Sequence, residues 1–347
     1  MAANVTVGAF GFGAASQAAL VVDAVNEVSS GSARYFDLNL LGDQTFSLGG
    51  DVFQFDGVDI CKLRFAYIHG FSYQYPVVPR LSADTDWSLW QTKHVLDQQR
   101  YSAILSLVQE LERHGVCVIS GLRGLLGNFM KYEQLQRLRR QGFSVPPMIC
   151  TNDRESTDKF CEQHEQLIWR PATGRAAWQH FGERQREHLL APEKSPIIIS
   201  AVIPGEYLRS YYLFGQDFLH LQHRGAGYYP METLETFCEA EGLSAPDFDP
   251  VSVLELSRGF FSLSQVVSGP VRWIYDLDAD PALTALPVKY RELLIRAFAL
   301  CLSGRKSQLD SLVRPVSPQQ RESLFLRRML GVLFDMEASK HRPLPKE

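Results

Sequence analysis

The sequence predicts an α/β domain with a parallel sheet at the N-terminus, a mixed α+β body after it, and a helical C-terminal extension. Three observations carry this reading. Strand-like and helix-like segments alternate through the first 120 or so residues, as they do where a parallel sheet is built. From about residue 196 the apolar residues alternate in runs interrupted by Pro-Gly and Gly turns, the signature of antiparallel strands. A chain of 347 residues also exceeds what one core serves, so two or three packed subdomains are expected.

The elements follow in order. VTVGAFGF is a strand, SQAALVVDAVNEV a helix of small residues, ARYFDLNLL a second strand and CKLRFAYIHGF a third. A polar stretch with Pro76 and Pro79 leads to LDQQRYSAILSLVQELERHG, whose apolar residues recur at three and four; this amphipathic helix ends at Gly115, and VCVISG follows as a strand. From Leu122 the chain offers a basic helix KYEQLQRLRRQG, a short strand PPMICT, a helix STDKFCEQHEQ capped by Ser156 or Thr157, and a strand LIWRPATG. GERQREHLLAPEK reads as a polar helix. Adjacent antiparallel strands are expected around turns at Pro204-Gly205 and Gly215-Gln216. After the loop GAGYYP come a helix METLETFCEAEG, paired strands GFFSLSQVV and GPVRWIYDLDAD, and the helix VKYRELLIRAFALCLS. The tail segment SLFLRRMLGVLFDM at 323–336 is apolar on more than one face, which predicts packing between domains or across a homodimer interface.

Composition narrows the class. Hydrophobic content of 45% with 21% charged residues excludes a disordered chain. A formal net charge of −4 gives no overall electrostatic case for nucleic acid. The six cysteines lack CxxC spacing and sit in apolar surroundings such as GVCVIS, so they read as reduced thiols of a cytoplasmic protein and not as a zinc site or a disulfide framework. There is no signal-like N-terminus and no apolar run of membrane-spanning length, so neither secretion nor a membrane is expected.

The chemistry concentrates in GPVRWIYDLDADPAL. Alternation along a strand puts Asp276 and Asp278 on one face, where hard carboxylate oxygens can converge on a divalent cation. Pro281 argues that the strand stops before Asp280 can join them. An apolar strand ending in paired acids suits magnesium held beside the phosphates of a nucleotide.

Taken in order, Lys131 in GNFMKYEQL, the strand LIWRPATG with its Gly turn, the strand SAVIPGEYLRSYYL and the Asp276/Asp278 pair resemble the ATP-grasp superfamily over residues 122–285. The nearest likeness is to the branch of ribosomal-protein glutamate ligases and related amino-acid or peptide ligases. The resemblance implies a pre-ATP-grasp-like N-terminal α/β domain (1–121), a small ATP-grasp subdomain (122–195), a central subdomain with the metal site (196–304) and a helical extension (305–347). It also implies ATP and Mg2+ as cofactors and a carboxylate-amine ligation through an acyl phosphate, with amino acids or peptides supplying the carboxylate and the amine. Lys131 and Arg170 would contact phosphates, with Gly174 in the turn above them. Adenine would lie against the strand Ile197 to Ile203 near Ser200, Ala201 and Ile203. Arg209 and Arg224, the latter in LQHRGAG, would hold the reacting carboxylate or acyl phosphate, and Asp276 and Asp278 would ligate magnesium. The chain departs from the family pattern at Arg170, where a planar guanidinium replaces a lysine. It departs again in lacking the hinge glutamate, in its poorer glycine loop (Ala176 and Ala177), and in offering only Ser262, Ser264 or Gln265 where a third acid is usual. A degenerate ATP-grasp protein that binds nucleotide or a partner without turnover would account for those departures together.

A rival signal lies at the N-terminus. Gly8, Gly11 and Gly13 follow a strand and precede a helix, with Ser16 near the place of a third small residue and Asp37 ending a second strand. That approximates the dinucleotide fingerprint of a Rossmann-type NAD(P) oxidoreductase, although such turns also serve close packing.

Overall fold

The computed structural model describes residues 5–41, 43–49, 52–71, 87–172, 177–189, 195–214, 216–223, 237–239 and 259–305. The N-terminal alternation builds a parallel sheet. Strands β1 (Val7–Gly11), β2 (Ala33–Asp37), β6 (Phe65–Ile68) and β7 (Cys117–Ile119) pair in the order β2-β1-β6-β7. Helix α1 (Gln17–Val28) starts at Ser16, whose hydroxyl accepts from the Ala19 amide and satisfies one of the first-turn donors. Helix α2 (Trp87–Arg113) stops before Gly115, which takes φ +78 and lets the chain turn back into β7. α2 covers one face of the sheet through Leu107, Leu111, Phe10 and Phe36, while α1 covers the other through Val21 and Val25.

A small antiparallel sheet of β3 (Phe46–Gly49), β4 (Val52–Phe55) and β5 (Val58–Asp59) interrupts this domain, an element the periodicity did not suggest. Its sequence signal is Asp56-Gly57: both residues take positive φ between the paired Phe55 and Val58, the geometry that an Asp-Gly hairpin loop favours.

Beyond β7 lie α3 (Gly121–Gly127) and α4 (Lys131–Arg140). The next antiparallel sheet has the order β10-β9-β11-β8, from β8 (Met148–Thr151), β9 (Leu167–Pro171), β10 (Gln179–His180) and β11 (Ile197–Ala201). Helix α5 (Arg154–Gln163) begins earlier than expected, because Asp153 and not Ser156 or Thr157 is the cap: its carboxylate accepts from the Ser156 amide at 2.7 Å. Helix α6 (Glu183–Leu189) follows in the polar segment.

The largest sheet runs β14-β13-β12-β15-β16, all antiparallel, from β12 (Glu206–Leu213), β13 (Gln216–His223), β14 (Phe237–Glu239), β15 (Phe260–Ser268) and β16 (Val271–Asp278). Two expectations are corrected here. Pro204-Gly205 is not a hairpin turn, since β11 belongs to one sheet and β12 to the next; the dipeptide is the crossover between them. Part of the expected helix METLETFCEAEG is instead strand β14, where pairing with Leu221 to His223 overrides local helix preference. Gly205 is required at the crossover because a Cβ would lie 2.2 Å from the Val267 carbonyl oxygen, an atom of the backbone that cannot swing aside. Gly205→Ala is therefore expected to destabilise by at least about 2 kcal/mol, read as a lowered urea midpoint with unchanged slope.

The two later sheets share a core of Ile168, Trp178 and Ile198 on one side and Tyr212, Phe261, Leu263 and Leu277 on the other, closed at one end by Leu135 and Leu138 of α4. Helix α7 (Val288–Leu302) returns to the N-terminal domain and packs its Leu294 and Phe298 into the core that contains α1. The same core includes Tyr211, Leu213 and Phe260 of the large sheet, so N-terminal domain and large sheet are joined by continuous apolar packing. The tail segment 323–336, the loop GAGYYP, Gly174 and Arg224 lie outside the described residues. Among the described residues no helix is long and apolar enough to cross a membrane.

Candidate active site

The site forms on β16, the edge strand of the large sheet. Strand pleat and register put its side chains in rows. Arg209 of β12 stands beside Ser264 of β15, and Ser264 beside Asp276; one step on, Tyr211 stands beside Ser262 and Ser262 beside Asp278. The two serines thus occupy the positions on β15 from which another acid could have joined the pair. Gln265 does not: a bulge sets it opposite Ile274, and its side chain accepts from Ser210.

Lys131 is the first residue of α4 and is fully buried. Its ammonium donates to the Leu277 carbonyl at 2.6 Å, to Asn128 Oδ1 at 3.0 Å and to Gln134 Oε1 at 3.4 Å, and lies 2.9 Å from Asp276 Oδ1. Arg170 of β9 is 1% exposed; its guanidinium reaches the same carboxylate oxygen at 3.4 Å and lies 5.3 Å from the ring centre of Trp178. The acid and the aromatic surface beside it both help to make so buried an arginine tolerable. Asp278 accepts from Asn128 Nδ2 at 3.2 Å and from the Asp280 amide at 3.0 Å. Asn128, fully buried, is thus the hinge pin between Lys131 and Asp278: its carbonyl takes the lysine and its amide serves the acid.

Electrostatics follow from this crowding. Burial alone would raise the Asp276 pKa, but Lys131, then Arg170 and Arg209, outweigh it and hold the carboxyl well below the ordinary carboxylate range. Burial pulls the Lys131 ammonium below the usual lysine value, against the opposing fields of Asp276 and Asp278. Asp276 therefore remains an anion throughout the neutral range.

The expected departure of Asp280 from the acidic face is observed. Asp280 is fully buried, bonded to His69 Nδ1 at 2.6 Å and to the Gly70 amide at 2.8 Å, and so ties the end of β16 to the N-terminal domain. Two carboxylates are then left for a cation, and among the described residues no group of three or more His, Cys, Asp or Glu is placed to hold a metal. Two hard oxygen donors suffice for magnesium when phosphates and waters complete its octahedron, so the donor set fits.

In the strand expected against adenine the polar groups bond within the fold. Ser200 is buried, with its hydroxyl donating to the Pro147 carbonyl at 3.4 Å. The Tyr275 hydroxyl accepts from the Ile203 amide at 2.8 Å and donates to the Ala201 carbonyl at 3.0 Å. The linker groups best disposed to read the edge of a base are thus already occupied by a side chain from β16. Sequence reasoning missed Asn128 and Tyr275. Asn128 reads as an ordinary polar residue of the turn before Lys131, and Tyr275 as an ordinary inward residue of an apolar strand.

The N-terminal glycine turn is filled by its own side chains. Asp37 accepts from the amides of Gly13 at 3.0 Å and Asn39 at 2.9 Å, so the carboxylate that would read a ribose is engaged in the turn. A Cβ on Gly8 would lie 2.6 Å from Leu63 Cδ1, and one on Gly11 2.6 Å from Ser16 Oγ. These glycines serve close packing, and the dinucleotide reading loses its support.

The architecture is that of solved ATP-grasp ligases. The ligase PsnB, complexed with a phosphomimetic variant of its minimal precursor, Mg and ADP, superposes with a TM-score of 0.68 at 18% identity, covering 86% of this chain and 99% of that one. The macrocyclase MdnC from Microcystis aeruginosa MRC, bound with precursor peptide MdnA, gives 0.63 at 14% identity over 86% and 100% of the two chains. A Chryseobacterium gregarium RiPP-associated ATP-grasp ligase, in complex with ADP and a leader and core peptide, gives 0.63 at 12% over 87% and 97%. No protein-family model and no curated protein matches this chain by sequence. The chain has the ATP-grasp fold.

Proposed function

We propose that this chain is an ATP- and magnesium-dependent ligase that joins a carboxylate to an amine through an acyl phosphate, with a peptide or an amino acid as substrate. The observation that carries the proposal is the meeting of Lys131, Arg170 and Arg209 with Asp276 and Asp278 at one strand edge. The fold neighbours, solved with ADP and with peptides, support the same reading.

In this proposal Asp276 and Asp278 hold magnesium, which when bound neutralises charge on the phosphates. Lys131 and Arg170, now balanced by Asp276, take up the distal phosphate oxygens once that carboxylate turns to the cation. Arg170 presents a planar fork where lysine would present a point charge, and its stacking on Trp178 fixes the orientation of that fork. Gly174 covers the phosphates, and the purine lies beside Ser200, Ala201 and Ile203 after the Tyr275 hydroxyl has given up its two bonds there. Arg209 and Arg224 hold the acceptor carboxylate so that one of its oxygens attacks the terminal phosphorus and ADP departs. The amine then attacks the acyl carbon, phosphate leaves with the bonding pair, and the ammonium proton passes to solvent. No protein nucleophile is needed.

A second reading, a nucleotide or partner binder without turnover, is favoured by one observation: Ala201 and Ile203 are closed by Tyr275. One assay separates the two. With Mg-ATP, a panel of carboxylates and hydroxylamine as the amine, the ligase reading expects ADP, phosphate and a hydroxamate. AMP with pyrophosphate, or a stable phosphorylated alcohol, would refute it; saturable nucleotide binding with no turnover would favour the second reading.

A further inference from the structure

A cavity of about 380 Å3 opens between the end of α2, α3 and α4, on the far side of Gln134 from the proposed phosphate site. Its walls are Leu122, Leu126 and Met130, with Arg123 at the rim and Gln134 at the floor. Gln134 is 2% exposed, and its amide orientation is decided by its neighbour: lysine has no acceptor, so the oxygen must face Lys131 and the nitrogen must face away. That Nε2 is buried and, among the described residues, has no hydrogen-bond partner. Gly127 makes room for it, since a Cβ there would lie 2.8 Å from Nε2.

The remaining polar groups are sorted by what they already bind. Glu112 Oε1 accepts from the Leu122 amide at 3.1 Å, and Arg137 and Glu133 pair with each other at 2.7 Å. Of the donors that line the cavity, Gln134 Nε2 within has no partner among the described residues and Arg123 stands exposed at the mouth, with the second carboxylate oxygens of Glu112 and Glu133 in the same lining. Two donors flanking an apolar wall that includes the exposed Met130 ask for a ligand with two acceptors and an aliphatic body. We propose that this cavity binds an acylated aliphatic amino acid or the C-terminal residue of a peptide. The acyl or peptide carbonyl accepts from Gln134, the carboxylate pairs with Arg123, and the side chain lies on Leu122, Leu126 and Met130. The proposal stands apart from the nucleotide site, although Gln134 touches both.

The test is a titration of the full chain with N-acetylleucine, followed through the methyl resonance of Met130, which is assigned from Met130→Leu. A saturable shift is expected. Gln134→Glu keeps an oxygen for Lys131 but replaces the buried donor with an acceptor, and should weaken binding at least about tenfold, as should Arg123→Ala at an exposed position. N-acetylleucinamide, lacking the carboxylate, should bind about as weakly to the parent as N-acetylleucine does to Arg123→Ala. A pentapeptide ending in leucine that binds more tightly than N-acetylleucine would identify a peptide terminus as the natural source; equal affinity would identify the free acylated amino acid. If Gln134→Glu does not fold, Arg123→Ala and the amide probe still decide. Absence of a saturable shift, or affinity unchanged both in Arg123→Ala and for the amide, overturns the proposal.

Discussion

Lys131→Met is expected to lower the stability of the folded chain by about 3–5 kcal/mol and to abolish nucleotide binding, the largest effect of any single change proposed for this protein. The methionine is close to lysine in volume, so the loss is electrostatic and not a cavity. It strips a largely buried cluster of the charge that Asp276 faces at 2.9 Å, and leaves the Leu277 carbonyl, Asn128 Oδ1 and Gln134 Oε1 without their shared donor. Breaking one partner of a buried pair costs more than the pair ever contributed, because the survivor stays buried. Urea unfolding monitored by fluorescence would read the change as a fall in midpoint without a change in slope. A loss below about 1 kcal/mol would mean that water reaches the cluster freely, since solvent-exposed pairs contribute no more than that.

The second large effect separates the two acids. Asp276→Asn and Asp278→Asn should each reduce the gain in ATP affinity that magnesium confers by more than about 100-fold, since even residues one layer outside a metal shell carry about 10–100-fold. Asp276→Asn should also weaken the fold, and by more than Asp278→Asn does, because Lys131 and Arg170 lie within 2.9 and 3.4 Å of that carboxylate and would lose their nearest counter-charge. Asp278 meets an asparagine amide and a backbone amide, and after Asp278→Asn the new side-chain carbonyl can still accept from both. The sequence alone suggests that both acids are ligands without a supporting role; burial of the two cations behind Asp276 revises that for Asp276. Thermal unfolding in EDTA measures the structural part, and calorimetry with and without magnesium measures the other.

The legible part of this molecule is the part written in local patterns. The parallel N-terminal sheet follows from strand-helix alternation, and the Asp276/Asp278 face follows from the two-residue period of a strand broken before Pro281. The position of Lys131 at a helix start was equally local. What stayed hidden depends on residues far apart in the chain. Asn128 meets Asp278 across 150 positions, and Tyr275 meets Ile203 across 72. No periodicity carries such pairings. Strand β14 was hidden for a related reason: residues 237–239 lie in a segment whose sequence favours a helix, and their strand state comes from pairing with β13. Asp153 and the Asp56-Gly57 loop, by contrast, are local signals, an acidic cap residue beside Ser156 and a hairpin dipeptide.

The central claim is that the charged edge of β16 is a magnesium-nucleotide site. Isothermal titration of the parent chain with ATP, in magnesium and then in EDTA, tests it most directly, with Asp278→Asn alongside because its new side-chain carbonyl can still accept both hydrogen bonds. The account predicts saturable binding that strengthens with magnesium in the parent and loses its magnesium dependence in Asp278→Asn. Binding that is absent from the folded parent, or that is equally dependent on magnesium in parent and variant, would contradict it.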